Sequence, residues 1–179
     1  MPKGFTLVEI LVVVTIIGVL SATTFVKLGP VTSVQIINKA LTETQSLIRT
    51  AQSNATTSTI CDTRSALSWS VYFDSTDQTK IYLKCNDRTT PIKTLALEKA
   101  KIESIAGNGN SCFSQGATTS YPTSNVTIKF YTLYSKMEFL GDDCIAESTR
   151  LTVTLKTDNT SVEKTTDFTI DQGGGINVN

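Results

Sequence analysis

Hydropathy divides the chain into three stretches. From Phe5 to Val26 nearly every position is apolar or small, and Glu9 is the exception. A run of about 22 such residues predicts a helix of ~33 Å, which matches the apolar thickness of a bilayer. Past residue 30 the pattern becomes periodic. Val34, Ile37, Leu41, Ile48 and Ala51 recur at helical steps, and Ile36, Ala40 and Leu47 widen the same stripe. Asn38, Lys39, Glu43, Gln45, Arg49 and Gln52 lie mostly off it, so an amphipathic helix with one buried face is expected. Gly29-Pro30 stands between the two patterns. A proline inside a helix removes a hydrogen bond and clashes with the preceding turn, so this is a local break or the end of the first helix. The second helix fades in the Thr, Ser and Asn run from Asn54 to Thr59, whose side chains compete for backbone hydrogen bonds.

The rest of the chain reads as β-structure. Leu67 to Phe73 alternates like a strand, turns at Asp74-Ser75-Thr76-Asp77, and returns from Lys80 to Cys85. Val126 to Tyr134 with Met137 to Leu140, and Leu151 to Thr157 with Val162 to Ile170, read as two further pairs. Gly173-Gly174-Gly175 interrupts the chain before Ile176-Asn177-Val178. The segment from Ile92 to Ile105 is ambiguous, because Leu95, Leu97, Ile102 and Ile105 fit neither period; two short strands are preferred. Gly107-Asn108-Gly109-Asn110 and Gln115 to Ser124 read as loops. The expected fold class is α+β: a long N-terminal spine helix, first membrane-spanning and then amphipathic, packed on antiparallel sheets. Residues 1–4 precede the apolar run, 5–29 form the membrane segment, 30–55 the amphipathic continuation and 56–179 a β-rich globular domain.

Composition narrows the chemistry. The 179 residues carry 16 Lys and Arg against 16 Asp and Glu, with no His. A broad basic footprint for nucleic acid is absent, as are the commonest general base and the commonest metal ligand. No nucleophile–His pair is possible and no glycine loop is built to cradle a phosphate, so neither an enzyme nor a cofactor is expected. Asp142-Asp143 offers carboxylates at a turn, the donors a calcium ion prefers, but a solvated turn is the expected state and no metal is assigned. Trp69, on an alternating strand, is expected in the core. Lys129, Lys136, Lys156 and Lys164 are candidates for a local basic stripe. Cys61, Cys85, Cys112 and Cys144 are widely spaced, which argues against a zinc ribbon or a redox motif. An even count after an export signal favours disulfides in an oxidising compartment over buried thiols. Of the three connectivities, the most local is preferred: Cys61–Cys85 and Cys112–Cys144.

Glu9 decides how the first segment is read. Lys3 ahead of the apolar run places the N-terminus inside and the rest outside. A secretory signal peptide would want a cleavage site after its core, and Leu20-Ser21-Ala22 is a poor one. A plain anchor would carry Glu9 at a cost of about 2.5–3.5 kcal/mol for a central position. Cleavage after Gly4 instead makes Phe5 a new N-terminus with a free amine. In a helix bundle, the carboxylate of Glu9 then pairs with the amine of a neighbouring chain. At ~4 Å and an effective dielectric near 20 that attraction is about 4 kcal/mol, enough to offset the insertion cost.

The segment Gly4-Phe5-Thr6-Leu7-Val8-Glu9-Ile10-Leu11-Val12-Val13 resembles the processing site of type IV prepilins and type II secretion pseudopilins, and Gly18 falls where that pattern has a glycine. The resemblance implies that a prepilin peptidase cuts between Gly4 and Phe5 and N-methylates Phe5, and that Glu9 serves assembly. It implies as partners other pilins or pseudopilins in a filament, the peptidase/N-methyltransferase, an inner-membrane assembly platform, and membrane lipid before assembly. The product would be a single-pass membrane protein with an extracytoplasmic domain, later part of a pilus or pseudopilus at the surface or in the periplasm. One departure is that many pilins carry a proline where this chain has Phe25-Val26. The helix end Ile48 to Ala55, then Cys61, then Trp69-Ser70-Val71-Tyr72-Phe73-Asp74, is similar to the GspH/FimT-type minor pseudopilins, which implies a low-abundance subunit that primes or caps the filament. A major pilin and a tip adhesin or DNA-binding minor pilin are the alternatives. Some FimT-like pilins bind DNA through basic residues near the C-terminus; the tail from Asp171 to Asn179 has no Arg or Lys, which argues against nucleic acid.

Overall fold

A computed structural model describes residues 7–25, 32–61, 63–86, 88–109, 125–132, 136–158 and 162–178. The chain forms two compact units, residues 1–32 and 33–179. In the first, helix α1 runs over Leu7–Phe25. Among the described residues no helix is long and apolar enough to cross a membrane; α1 covers 19 of the roughly 20 residues that a bilayer core requires. The Gly29-Pro30 break lies outside the described residues.

The second unit opens with helix α2, Ser33–Thr56. Its buried side chains are Ile36, Ile37, Ala40, Thr44, Leu47, Ile48, Ala51 and Ala55. The stripe is real, but its centre is rotated from the expected one. Val34 is 48 % exposed and Leu41 is only partly buried. At 100° per residue Val34 lies about 100° from the middle of the buried set, beyond the reach of the core. Thr44, absent from the apolar pattern, is fully buried because its Oγ1 donates to the Ala40 carbonyl at 2.8 Å, so no polar group is left unpaired.

Eleven described strands follow α2. β1 (Ile60–Cys61) and β2 (Arg64–Ser65) form a small two-stranded ribbon. β3 (Ser68–Phe73), β4 (Lys80–Cys85), β5 (Lys93–Ala96), β7 (Val126–Tyr131) and β8 (Met137–Leu140) form an antiparallel sheet in the order β5-β4-β3-β7-β8. β6 (Ala100–Gly107), β9 (Arg150–Thr157), β10 (Thr165–Asp171) and β11 (Ile176–Val178) form a second, in the order β11-β10-β9-β6. The three predicted hairpins are present with ends moved by one to three residues. The ambiguous segment does form two strands, and these belong to different sheets.

α2 packs on both sheets. Inward rows from the first sheet (Trp69, Val71, Phe73, Leu83, Ile128, Phe139) and from the second (Ile102, Ile105, Val153, Leu155, Phe168, Ile170) enclose one core with α2. The sheets alternate buried and part-exposed positions, as half-buried antiparallel strands should. A bulge between Ile102 and Ser104 leaves Glu103 as the extra residue, which brings Ile102 and Ile105 to the same face three positions apart.

Candidate assembly and processing site

α1 has no polar face. Every side chain from Leu7 to Ser21 is exposed, including Leu7 at 80 % and Val19 at 66 %. A helix that is apolar all round is stable only when something covers it, either lipid or other helices. Its few polar groups are handled locally: the Thr15 hydroxyl donates to the Val12 carbonyl at 2.8 Å. Among the described residues Gly18 meets nothing within 4 Å where a side chain would stand. Glu9 sits in the first turn of α1. A carboxylate there also suits the positive end of the helix dipole, which is worth about 0.3–1 kcal/mol, well short of the cost of a charge in lipid. Gly4 and Phe5 lie outside the described residues.

The outward face of α2 is polar, and Arg49 is the one charged residue of the groove that runs along it. Thr42, Gln45, Ser46, Arg49, Thr50, Ser53 and Asn54 line a shallow groove along it. Its threonine hydroxyls are already spent on the helix itself, Thr42 on the Asn38 carbonyl at 2.8 Å and Thr50 on the Ser46 carbonyl at 2.7 Å. Hydroxyls satisfied in this way lose little when water is removed from them.

The cysteines hold the end of α2 to the first sheet. Cys61, just after α2, is bonded to Cys85 at the end of β4, with Cα atoms 6.3 Å apart, as the local pairing expected. Both are buried. Cys144 is disulfide-bonded too, and Cys112 lies outside the described residues. Trp69, directly opposite Cys85 across the β3–β4 pair, is 4 % exposed and belongs to the core as predicted.

Two expectations fail. The four lysines do not form a stripe, because Lys129 and Lys136 belong to the first sheet's β7–β8 hairpin and Lys156 and Lys164 to the second sheet's β9–β10 hairpin. Moreover, Lys156 is paired with Glu163 at 3.0 Å and Glu103 at 3.3 Å, and Lys136 with Glu138 at 2.5 Å. Asp142-Asp143 is not an open turn. Asp142 caps the short helix α3, Asp143–Ala146, by accepting from the Ile145 amide at 3.0 Å. Among the described residues no cluster of carboxylates and cysteines could hold a metal ion.

What the sequence did not signal is the closure at the domain's far end. Gly174 adopts φ +82° and lies against the side chain of Gln52, so the β10–β11 turn locks onto the last turns of α2. Gly107 and Gly109 lie directly under Cys144, Glu147 and Ser148, and the Ser148 hydroxyl accepts from the Gly109 amide at 3.0 Å. Neither contact follows from periodicity.

Residues 2–25 match the family model of the prokaryotic N-terminal methylation motif. This match supports a type IV pilin-like protein, processed by a prepilin peptidase and assembled with other pilins. Neither the curated proteins nor the solved structures contain a match to the chain.

Proposed function

We propose that this chain is a minor pilin or pseudopilin of the GspH/FimT type, a structural subunit that primes or caps a pilus or pseudopilus. The carrying observation is that a methylation-motif leader runs into a helix that is apolar on every side. Cleavage between Gly4 and Phe5, followed by methylation of the new amine, converts a membrane anchor into an assembly element. Before assembly lipid covers α1. In the filament, the helices of neighbouring subunits cover it, and Glu9 pairs with a neighbour's Phe5 amine. The polar groove of α2, where the Thr42 and Thr50 hydroxyls are already bonded to the helix, supports this reading as a surface for lateral contact with a neighbour. The two-sheet domain is the rigid body carried outside the membrane. The similarity of the helix end Ile48 to Ala55, then Cys61, then Trp69 to Asp74, to GspH/FimT-type proteins favours a minor over a major subunit.

The test is Glu9→Val, expressed beside the wild-type chain. An attraction of about 4 kcal/mol corresponds to roughly a thousandfold in an association constant. Membrane insertion and leader removal should persist while incorporation into sheared filaments is lost. Wild-type incorporation of the variant would remove the charge pair from the account.

A further inference from the structure

β8 is the last strand of the five-stranded sheet, and its side away from β7 is an open edge. The Tyr131 amide donates to the Lys136 carbonyl at 2.9 Å. Antiparallel pairs alternate between bonded and non-bonded, so Lys129 and Glu138 form the next bonded pair. The amides and carbonyls of Met137 and Phe139 therefore point outward. Among the described residues no strand pairs with them. All of β8, with Lys136, lines a groove of about 660 Å³ together with Ala146 at the end of α3 and Gln172 after β10. No described residue of β7 lines it, so the groove runs along the outer edge. The Gln172 side chain is fixed there by donating to the Ser148 carbonyl at 2.9 Å. The other open edges of the two larger sheets are guarded against pairing. β5 carries Lys93 on its core-facing side, opposite Leu83, β6 has its bulge at Glu103, and β11 has only 3 residues. β8 has neither bulge nor proline, and its core-facing side chains are Met137 and Phe139.

We infer that the β8 edge is a strand-addition site for an extended, uncharged segment of a partner protein. An added strand lies about 4.8 Å from β8 and bonds main chain to main chain at Met137 and Phe139. Such bonding needs alternating amides and carbonyls along an extended chain, which selects a polypeptide over other polymers. Its residues opposite Met137 and Phe139 share their core-facing side and are apolar; those between them face outward with Glu138 and are polar. Charge decides the rest. Lys136 and Glu138, both on the outer face, neutralise each other, so the edge calls for an uncharged segment. A second copy of β8 is a poor occupant. The antiparallel register that bonds Met137 to Phe139 of the copy at both ends sets Glu138 against its own counterpart, and like charges directly opposite destabilise a pair. The assembly role of α1 makes no use of this edge.

The experiment is titration of the full chain in detergent with a capped heptapeptide of alternating threonine and valine, read by calorimetry and by amide hydrogen exchange. Saturable binding is expected. Exchange of the Met137 and Phe139 amides should slow, while that of Glu138, already bonded to Lys129, stays as it was. The valines, opposite Met137 and Phe139, are the residues whose amides bond. Proline in place of the central valine removes one such donor and should weaken binding roughly tenfold, or ~1.4 kcal/mol. Ala146→Trp, at an exposed position, fills the groove from α3 without entering the core and should weaken binding likewise. The remote Lys39→Gln should leave it unchanged. Unslowed exchange at Met137 and Phe139, equal binding of the proline peptide, or tighter binding of a peptide with lysine in place of threonine would overturn the inference. A dimer that protects these two amides without peptide would assign the edge to a second copy and overturn it as well.

Discussion

Replacing Cys61 and Cys85 together by Ala should remove a large part of the globular unit's stability. The bond closes a loop with a sequence separation of 24 that contains β1, β2, β3 and β4. A loop of this length costs the unfolded chain about 12 cal/mol/K of entropy when cross-linked, hence a contribution of about 3.5 kcal/mol at 25 °C. Two buried sulfurs are lost as well, and Ala keeps the site apolar, so the packing loss stays near ~1 kcal/mol. Against a typical stability of 5–15 kcal/mol this is severe. Urea unfolding of the full chain in mild detergent can be followed by Trp69, the single tryptophan, which lies opposite Cys85. With a urea slope of about 2 kcal/mol/M, the midpoint should fall by ~2 M. The double variant isolates this bond, because a reducing agent would also open the one at Cys144. A loss below ~1 kcal/mol at unchanged slope would refute the loop-entropy reasoning.

Neighbouring glycines should respond differently. Gly174→Ala meets Gln52 and a positive φ, so it should cost about 1–2 kcal/mol in the same urea assay. Gly173→Ala, with open space around it, should change stability by less than ~0.5 kcal/mol; equal effects would count against the docking of this turn on α2. Stability should also fall in acid partly through Glu138. Hydrogen bonds from the Lys136 ammonium and then the Tyr131 hydroxyl hold its carboxyl below the ordinary value of 4.5. Because the folded value is depressed, the contribution is complete above the unfolded carboxylate range and disappears as pH falls through the folded value. Glu138→Gln should therefore flatten the loss of urea midpoint between about pH 5 and pH 3, and parallel curves for both proteins would show the network to be inert.

Much of this fold is legible from alternation. The β3–β4 hairpin couples two period-two runs to the turn Asp74-Ser75-Thr76-Asp77, and the core rows are the apolar positions of such runs. The harder parts have identifiable causes. Ile102 and Ile105 fit no period because the bulge at Glu103 inserts a residue between them. The sheet change between β5 and β6 passes through Lys99 at φ 57°, a left-handed position with no glycine to announce it. The rotation of α2's buried face reflects small residues, Ala40, Thr44, Ala51 and Ala55, that approach the sheets closely yet weigh little in a hydropathy pattern. α3 is too short for periodicity and is nucleated by the Asp142 cap. The candidate site behaves in the opposite way. Gly4, Phe5 and Glu9 are read from sequence almost entirely, because their roles depend on a peptidase and on neighbouring chains. The open edge of β8, in contrast, is visible only once strand order and register are known.

The most direct test of the central claim is mass spectrometry of the N-terminus of the chain purified from cells that assemble it. The account predicts a mature chain beginning at Phe5 whose amine carries one added methyl group. A chain that retains Met1, or one that is cut after Ala22, would contradict it.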